Sequence, residues 1–182
     1  MGIGKGDHLY LVDGSGFIFR AYFQAANRDG KYNYRSDGTP TGAVNMFCAM
    51  LHSEMGLAST SGPTHFAVIF DHSGESFRNE LYDAYKANRT EPPEDLVPQF
   101  ALIREATRAF GLPCIEQERY EADDLIATYA RQAREAGATV TIVSSDKDLM
   151  QLVGGGVRMR DPMKKVEIGP EEVEAKFGVS PD

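Results

Sequence analysis

The sequence predicts an α/β fold in which a central, largely parallel sheet is flanked by helices. Three apolar runs rich in Val, Ile, Leu and aromatic residues each end on an aspartate, at 8–13, 66–71 and 139–146. Short continuous runs of this kind are typical of strands buried on both faces of a parallel sheet. Stretches with apolar residues at helical spacing separate the runs, and this alternation of strand and helix is the pattern of an α/β protein.

In the first part of the chain, apolar residues recur at helical spacing over 15–26, which predicts a helix directly after the first strand. A second helix is predicted over 41–55, with Thr41 as a candidate N-cap. Its apolar face would consist of Val44, Phe47, Cys48 and Leu51. A loop at 59–63, which contains Gly and Pro, then leads into the second strand.

The second half of the chain continues the alternation. The predicted elements are a helix at 96–110, a strand at 113–116, a helix at 121–136, a strand at 139–143, a short helix at 147–152, extended pieces at 157–160 and 165–168, and a helix at 170–177. The last helix has the clearest boundaries, because Pro170 is favoured at a first helical position and Gly178 favours its end.

Bulk composition narrows the class of protein. A chain of 182 residues has the size of one domain with a substantial core. It contains no run of about 18 apolar residues that could cross a membrane, and its first residues lack the apolar core of a secretory signal. Cys48 and Cys114 lie in apolar segments, where reduced thiols are favoured over a disulfide. We therefore expect a cytoplasmic protein without a membrane partner.

Carboxylates gather where the predicted parallel strands end. Ligands of an open parallel sheet bind outside the carboxyl ends of its strands. Carboxylates that meet there would repel one another unless cations lie between them, so the pattern predicts a site for hard divalent metal ions. The residues of this carboxylate rim are Asp13, Asp71, Glu121, Asp123, Asp124, Asp146 and Asp148.

Each acidic group of the rim also has a purely structural interpretation. Asp13 and Asp146 each precede a predicted helix and could cap it, and the acidic group at 121–124 could offset a helix dipole. Their shared position at one edge of the sheet favours a site over coincident capping. The net charge of −8 argues against a nucleic-acid partner. Two bound divalent ions would, however, cancel up to about four of those charges, so net charge does not decide the partner.

A polar segment with few aliphatic residues, 72–95, follows the second strand. If it were helical, one face would carry Arg78, Tyr82, Tyr85, Lys86 and Arg89. Arginine and lysine contact phosphates and tyrosine rings stack on bases, so this face is a candidate clamp for nucleic acid. The alternative is an ordinary solvated helix of mixed charge. We call 72–95 the arch segment.

Five segments of the chain carry a family resemblance: 11–22, 38–44, 77–89, 120–124 and 144–149. In this order they resemble the signature segments of the 5′-nuclease domain of bacterial DNA polymerase I, a family grouped with the flap endonucleases. The resemblance covers nearly the whole chain after residue 7. It implies a PIN-like α/β fold in which the arch segment forms a flexible helical arch.

The resemblance also implies a function. A family member would be a 5′→3′ exonuclease and structure-specific flap endonuclease that acts on DNA with 5′ ends or flaps, using two Mg²⁺ ions for which Mn²⁺ can substitute. By motif, the first ion would be held by Asp13, Asp71, Glu121 and Asp123. The second ion would be held by Asp146 and Asp148, with Asp124 at or near the first.

For the DNA itself, the resemblance brings Lys86 and Arg89 to the scissile phosphate as catalytic residues. Phe19 stands where the family often has Tyr, so the ring that can stack on a base is kept and the hydroxyl is lost. The residues expected to contact DNA are Phe19, Arg20, Arg78, Tyr82 and Tyr85.

The family continues beyond the point where this sequence ends, with a further acidic pair and a helix–three-turn–helix element. We therefore expect residues 1–182 to be a single nuclease core from the start of a longer, monomeric DNA polymerase I, with the polymerase domain in cis. Three alternatives stay open. The first is a PIN-type ribonuclease with the same metal chemistry, and the second is a metal-dependent interaction module that does not cut nucleic acid. The third is a fragment that binds DNA but does not cut it.

Overall fold

A six-stranded sheet runs through the described part of the protein. The computed structural model describes residues 2–28, 30–72, 74, 76–88 and 90–181, with the backbone alone at 59–61. The strands are β1 (His8–Asp13), β2 (His65–Ile69), β3 (Cys114–Ile115), β4 (Thr139–Val143), β5 (Val157–Asp161) and β6 (Val166–Ile168). The sheet order is β3-β2-β1-β4-β5-β6, and neighbouring strands are parallel except β5 and β6. The predicted α/β fold with a largely parallel sheet is confirmed.

Helices flank this sheet at positions close to the predicted ones. They are α1 (Gly14–Ala26), α2 (Gly42–Ser61), α3 (Phe77–Leu81), α4 (Val97–Ala109), α5 (Ala122–Glu135) and α6 (Pro170–Phe177), with 3₁₀ turns at Gly30–Tyr32 and Lys147–Leu152. Among the described residues, no helix is long and apolar enough to cross a membrane.

Helix α2 is longer than predicted. It continues past 55 to Ser61 and ends at Gly62, which adopts a left-handed φ of 69°. The predicted loop at 59–63 is therefore wrong for its first three residues. The physical reason is that the buried face continues, since Ala58 lies two turns beyond Leu51 and both are buried. Thr41 is the N-cap residue, as predicted, but its side chain makes no capping hydrogen bond.

The core occupies both faces of the sheet because successive strand residues point to opposite sides. Leu11 of β1 packs into the layer that contains Ile126 of α5, whereas Val12 packs into the layer formed with α1, α2 and α4. Both strand residues are almost completely buried. Continuous apolar runs are thus explained by burial on two faces, and the strand ends are held rigidly at one edge.

Packing in the second layer gives a testable stability prediction. Phe47 is fully buried and its ring lies 6.2 Å from that of Phe17 and 6.1 Å from that of Phe70. Phe47→Ala should lower the free energy of unfolding by about 3–5 kcal/mol, since a large cavity would remain. Urea titration measures the change. Phe177→Ala, at a ring that is 47% exposed, is the matched control and should cost far less.

Candidate metal centre and nucleic-acid interface

The carboxylate rim lies at one edge of the sheet because three parallel strands end together there. Val12 of β1 is in register with Val68 of β2 on one side and with Val143 of β4 on the other. Asp13 is the last residue of β1, and Asp71 follows β2 by two residues. The loop after β4 carries Asp146, and α5 begins at the same edge directly after Glu121.

Four carboxylates of the rim are close enough to perturb one another. The pKa of Asp123 is raised to about 7, first by burial and then by the negative charges of Asp13, Asp146 and Asp71. The pKa of Asp13 is also raised, chiefly by burial, with Asp71 and Asp146 adding to it. The structure therefore brings together Asp13, Asp71, Asp123 and Asp146 as the sequence predicted.

Asp13 is the most enclosed member of the rim, with 6% of its surface exposed. Its Oδ1 accepts a hydrogen bond from the Gly16 amide at 2.7 Å, and its Oδ2 accepts one from Ser144 Oγ at 2.7 Å. Gly16 is required for this arrangement, because a Cβ there would lie 2.4 Å from Asp13 Oδ2. Asp13 thus caps α1 as well as belonging to the rim.

Capping and clustering occur together at other members of the rim. Asp146 caps the 3₁₀ turn at Lys147–Leu152 by accepting a hydrogen bond from the Asp148 amide at 2.9 Å. Glu121 is the N-cap residue of α5 and forms a capping box with Asp124. The structural interpretation is therefore correct for these groups. Capping alone does not explain why carboxylates that repel one another stand at these positions. A neutral Ser or Asn would cap equally well without raising the pKa of a neighbouring carboxyl group.

Asp71 is held by three other parts of the chain. Its amide donates to Ser15 Oγ at 2.8 Å, its carbonyl accepts from Arg104, and its Oδ1 accepts from the Ala122 amide at 2.7 Å. The last contact places the Asp71 carboxylate at the first residue of α5, where the helix dipole favours negative charge.

The two remaining acidic residues at the start of α5 face cations of the arch segment. Lys86 Nζ lies 2.7 Å from Glu121 Oε2. Arg78 makes a bidentate pair with Asp124, with both nitrogen–oxygen distances at 2.7 Å. The Arg78 guanidinium accordingly lowers the pKa of Asp124. Tyr85 adds a hydrogen bond from its hydroxyl to Glu121 at 3.3 Å.

The continuous basic helix predicted for the arch segment is wrong. Helix α3 ends at Leu81, Tyr82 is extended, and turns follow up to 88, with Lys86 at a positive φ of 55°. A straight helix would separate Arg78 and Lys86 by about 12 Å along its axis. Their partners on α5 are one helical turn apart, so the chain must fold back for both pairs to form.

The described residues of the predicted nucleic-acid clamp accordingly do not lie along one helix face. Arg78, Tyr85 and Lys86 lie together against the start of α5, whereas Tyr82 is 66% exposed. Arg89 lies outside the described residues. The flexibility expected of the arch segment stays a prediction.

The rim has the ligand chemistry of a hard divalent cation, but its side chains do not yet surround one point. Among the described residues, no group of three or more His, Cys, Asp or Glu side chains is arranged to hold a metal ion. Glu121 and Asp124 are turned towards arch cations instead. The donor set itself fits, because it consists of carboxylate oxygens whose repulsion a cation would relieve. Asp146 and Asp148 are both exposed, the first as the cap of the 3₁₀ turn and the second within it.

On the α1 side, the rim borders an open cavity of about 400 Å³. Its wall includes Asp13, Asp146 and the predicted DNA contacts Phe19 and Arg20. Phe19 is 42% exposed, so its ring is available to a base. The other lining residues were missed by the sequence analysis, and Phe23 and Ser144 are among them. Both had a signal, since Phe23 follows Phe19 by one helical turn and Ser144 follows β4 directly.

Comparisons with known proteins agree with this geometry. The family described as "5'-3' exonuclease, N-terminal resolvase-like domain" matches residues 8–178. DNA polymerase I of Rhizobium leguminosarum is 60% identical over 182 residues, which cover 98% of this chain and 18% of that protein. DNA polymerase I of Pseudomonas aeruginosa is 40% identical over 174 residues, which cover 96% of this chain and 18% of that protein. The chain therefore spans less than a fifth of these relatives.

A shorter relative and a solved structure point the same way. A 5'-3' exonuclease of Aquifex aeolicus is 37% identical over 173 residues, covering 95% of this chain and 57% of that protein. The structure of T5 5'-exonuclease with bound zinc superposes with a TM-score of 0.72 at 22% identity, covering 94% of this chain and 61% of that one. This likeness confirms the fold expected of a 5′-nuclease. On the strength of the family match and these relatives, the chain belongs to the 5'-3' exonuclease family, as its N-terminal resolvase-like domain.

Proposed function

We propose that this chain is the nuclease part of a bacterial DNA polymerase I, a divalent-metal-dependent 5′→3′ exonuclease and 5′-flap endonuclease. The observation that carries the proposal is the convergence of Asp13, Asp71, Asp123 and Asp146 at the carboxyl edge of the sheet. Burial first, and then the negative charges of the other three carboxylates, raise the pKa of Asp123 to about 7. Clustered negative charge of this kind needs a cation, and phosphodiester hydrolysis is a reaction that carboxylate-bound metal ions serve.

The metal ions would be Mg²⁺, two in each complete active site, with Mn²⁺ able to substitute. When bound, such ions supply an activated water and stabilise charge on the leaving oxygen. In this proposal Asp13, Asp71 and Asp123 hold the first ion together with Glu121. Asp146 and Asp148 hold the second, and Asp124 stands next to the first. An all-carboxylate donor set that retains waters suits Mg²⁺.

The chain's own cations would act on the substrate. Lys86 is held by Glu121 at 2.7 Å in this structure, and release of that pair would free its ammonium group for the scissile phosphate. Arg78 and Arg89 would contact the same strand from the arch segment, with Tyr82 and Tyr85. On the opposite side of the rim, Phe19 offers a ring to a base and Arg20 a guanidinium to the backbone.

The proposed substrate is DNA with a 5′ end or flap, handled by a monomer in the cytoplasm, next to the nucleoid. Two facts support DNA as the substrate. The curated relatives with 60% and 40% identity are DNA polymerases I, and a T5 flap endonuclease of the same fold has been solved in complex with DNA and metal ions. The polymerase domain of the longer protein would follow in cis, after a helix–three-turn–helix element.

Cleavage of a 5′-end-labelled flap substrate tests the proposal. The chain, and the same chain extended by the residues that follow in its polypeptide, would be incubated with Mg²⁺, with Mn²⁺ or with EDTA. We expect metal-dependent cutting near the flap junction, stronger in the extended form. Preferential cutting of a matched RNA flap would support a PIN-type ribonuclease instead. Metal binding without cutting of either substrate by either form would support an interaction module.

A further inference from the structure

We infer that Arg104, on α4, is a positioning residue that aims the Asp71 carboxylate into the carboxylate rim. The inference rests on the proposed metal-dependent function and extends it to a residue outside the rim. Among the described residues, Arg104 contacts Asp71, Phe100, Glu116 and Phe70, and the proposed function assigns none of these to the DNA. Its effect would pass through the backbone of Asp71.

The Arg104 guanidinium is fixed on every side. One terminal nitrogen donates to the Asp71 carbonyl at 2.7 Å, the other donates to the Phe100 carbonyl at 3.1 Å, and Nε donates to Glu116 Oε2 at 2.7 Å. The guanidinium carbon, Cζ, also lies 5.0 Å from the centroid of the buried Phe70 ring. With 17% of its side chain exposed, Arg104 is locked in one geometry.

Asp71 needs such support because it stands beyond the sheet ladder. Strand β2 ends at Ile69, and the Phe70 amide makes the last backbone bond towards β3, with the Ile115 carbonyl at 2.8 Å. The Asp71 carbonyl therefore depends on Arg104. With the Ser15 and Ala122 contacts already described, this bond fixes the peptide from which the carboxylate projects.

The role depends on the shape of the guanidinium more than on its charge. The charge of Arg104 is already paired with Glu116, so little of it is left for the rim. What remains specific is a planar group that reaches three acceptors at once, which a lysine ammonium on a flexible stem cannot reproduce. Arg104→Lys therefore keeps the charge and removes the positioning.

The affinity of the metal-free chain for Mn²⁺, measured by titration calorimetry, tests the inference. Residues that orient a metal ligand typically contribute about 10–100-fold to affinity, so Arg104→Lys should weaken Mn²⁺ binding by about that factor. Glu116→Gln is the matched control, because it removes the charge partner and leaves the bond to Asp71. It should change Mn²⁺ affinity by less than about threefold. Both variants should lower the metal-free melting temperature to a similar extent.

The outcomes separate this inference from the proposed function. Equal losses of Mn²⁺ affinity in Arg104→Lys and Glu116→Gln would show a merely structural ion pair and overturn the inference. Wild-type affinity in Arg104→Lys would do the same. Asp71→Asn should abolish binding at the first site. If the wild-type chain and Asp71→Asn bound Mn²⁺ alike, the metal-dependent function would fail, and the role of Arg104 with it.

Discussion

Asp146→Asn is expected to abolish cleavage of 5′-flap DNA while the fold is retained. Asparagine caps a helix as well as aspartate does, and its Oδ1 can still accept the Asp148 amide that Asp146 accepts at 2.9 Å. What disappears is the negative charge that acts on Asp13 and Asp123. In the proposed function Asp146 holds the second metal ion, and loss of the charge stabilisation that this ion would supply should slow cleavage at least about a hundredfold. Single-turnover cleavage in Mg²⁺ measures it, with the extended chain as the enzyme.

Binding of the same flap DNA should be unchanged or tighter in Asp146→Asn, since one negative charge near the phosphates is gone. Glu135→Gln is the control for that charge, because Glu135 is 57% exposed at the far end of α5 and pairs only with Arg131 among the described residues. It should leave cleavage at the wild-type rate. Near-normal cleavage by Asp146→Asn would mean that the rim serves capping and dipole compensation, and would remove the metal mechanism.

Asp123→Asn should raise the stability of the metal-free chain and weaken its metal binding. A pKa of about 7 in the folded state, against about 3.9 when unfolded, means that folding opposes the ionised form. After allowance for screening by water at this partly exposed group, the cost at neutral pH is about 2 kcal/mol. Because Asp123→Asn removes this cost, it should raise the melting temperature by about 4–8 °C for a chain of this size. Calorimetry in EDTA and Mn²⁺ titration measure the two effects.

The pH dependence of this gain has a definite sign. Between about pH 4 and pH 7 the folded state holds a proton on Asp123 that the unfolded state has lost, so its contribution makes stability fall as pH rises. The gain in unfolding free energy from Asp123→Asn should therefore vanish below about pH 4 and reach its full value above pH 7. Asp124→Asn is the adjacent control with the opposite sign, because Arg78 lowers the pKa of Asp124. A lower metal-free melting temperature for Asp123→Asn would contradict a shared cluster.

The ion pairs of the arch segment add a competition that the sequence alone did not indicate. Glu121 and Asp124 are assigned to the metal site by motif, yet in this structure Lys86 and Arg78 occupy their oxygens. In the proposed function, a metal ion at Glu121 Oε2 would have to displace Lys86. The same event would make the ammonium group available to a phosphate, so metal binding and DNA binding would share one set of contacts.

Much of the fold was readable from local pattern. Strands β1, β2 and β4 were predicted because burial on both faces demands continuous apolar runs, and α6 because Pro170 and Gly178 mark its ends. The end of α2 was misjudged, since its final turns depend on packing at Ala58 and not on the polar residues around it. The arch segment was misjudged because its helical periodicity was outweighed by another tertiary contact. Its cations pair with the carboxylates at the start of α5.

The strand–helix alternation and the positions of the acidic residues follow from the sequence, and the rule that parallel strands end at one edge then brings Asp13, Asp71 and Asp146 together. The contacts of each carboxylate follow instead from packing between distant segments. Lys86–Glu121, Arg78–Asp124 and Arg104–Asp71 join residues 35, 46 and 33 positions apart. Local periodicity carries no information about such pairs, because each one exists only where packing brings two distant segments within hydrogen-bond distance.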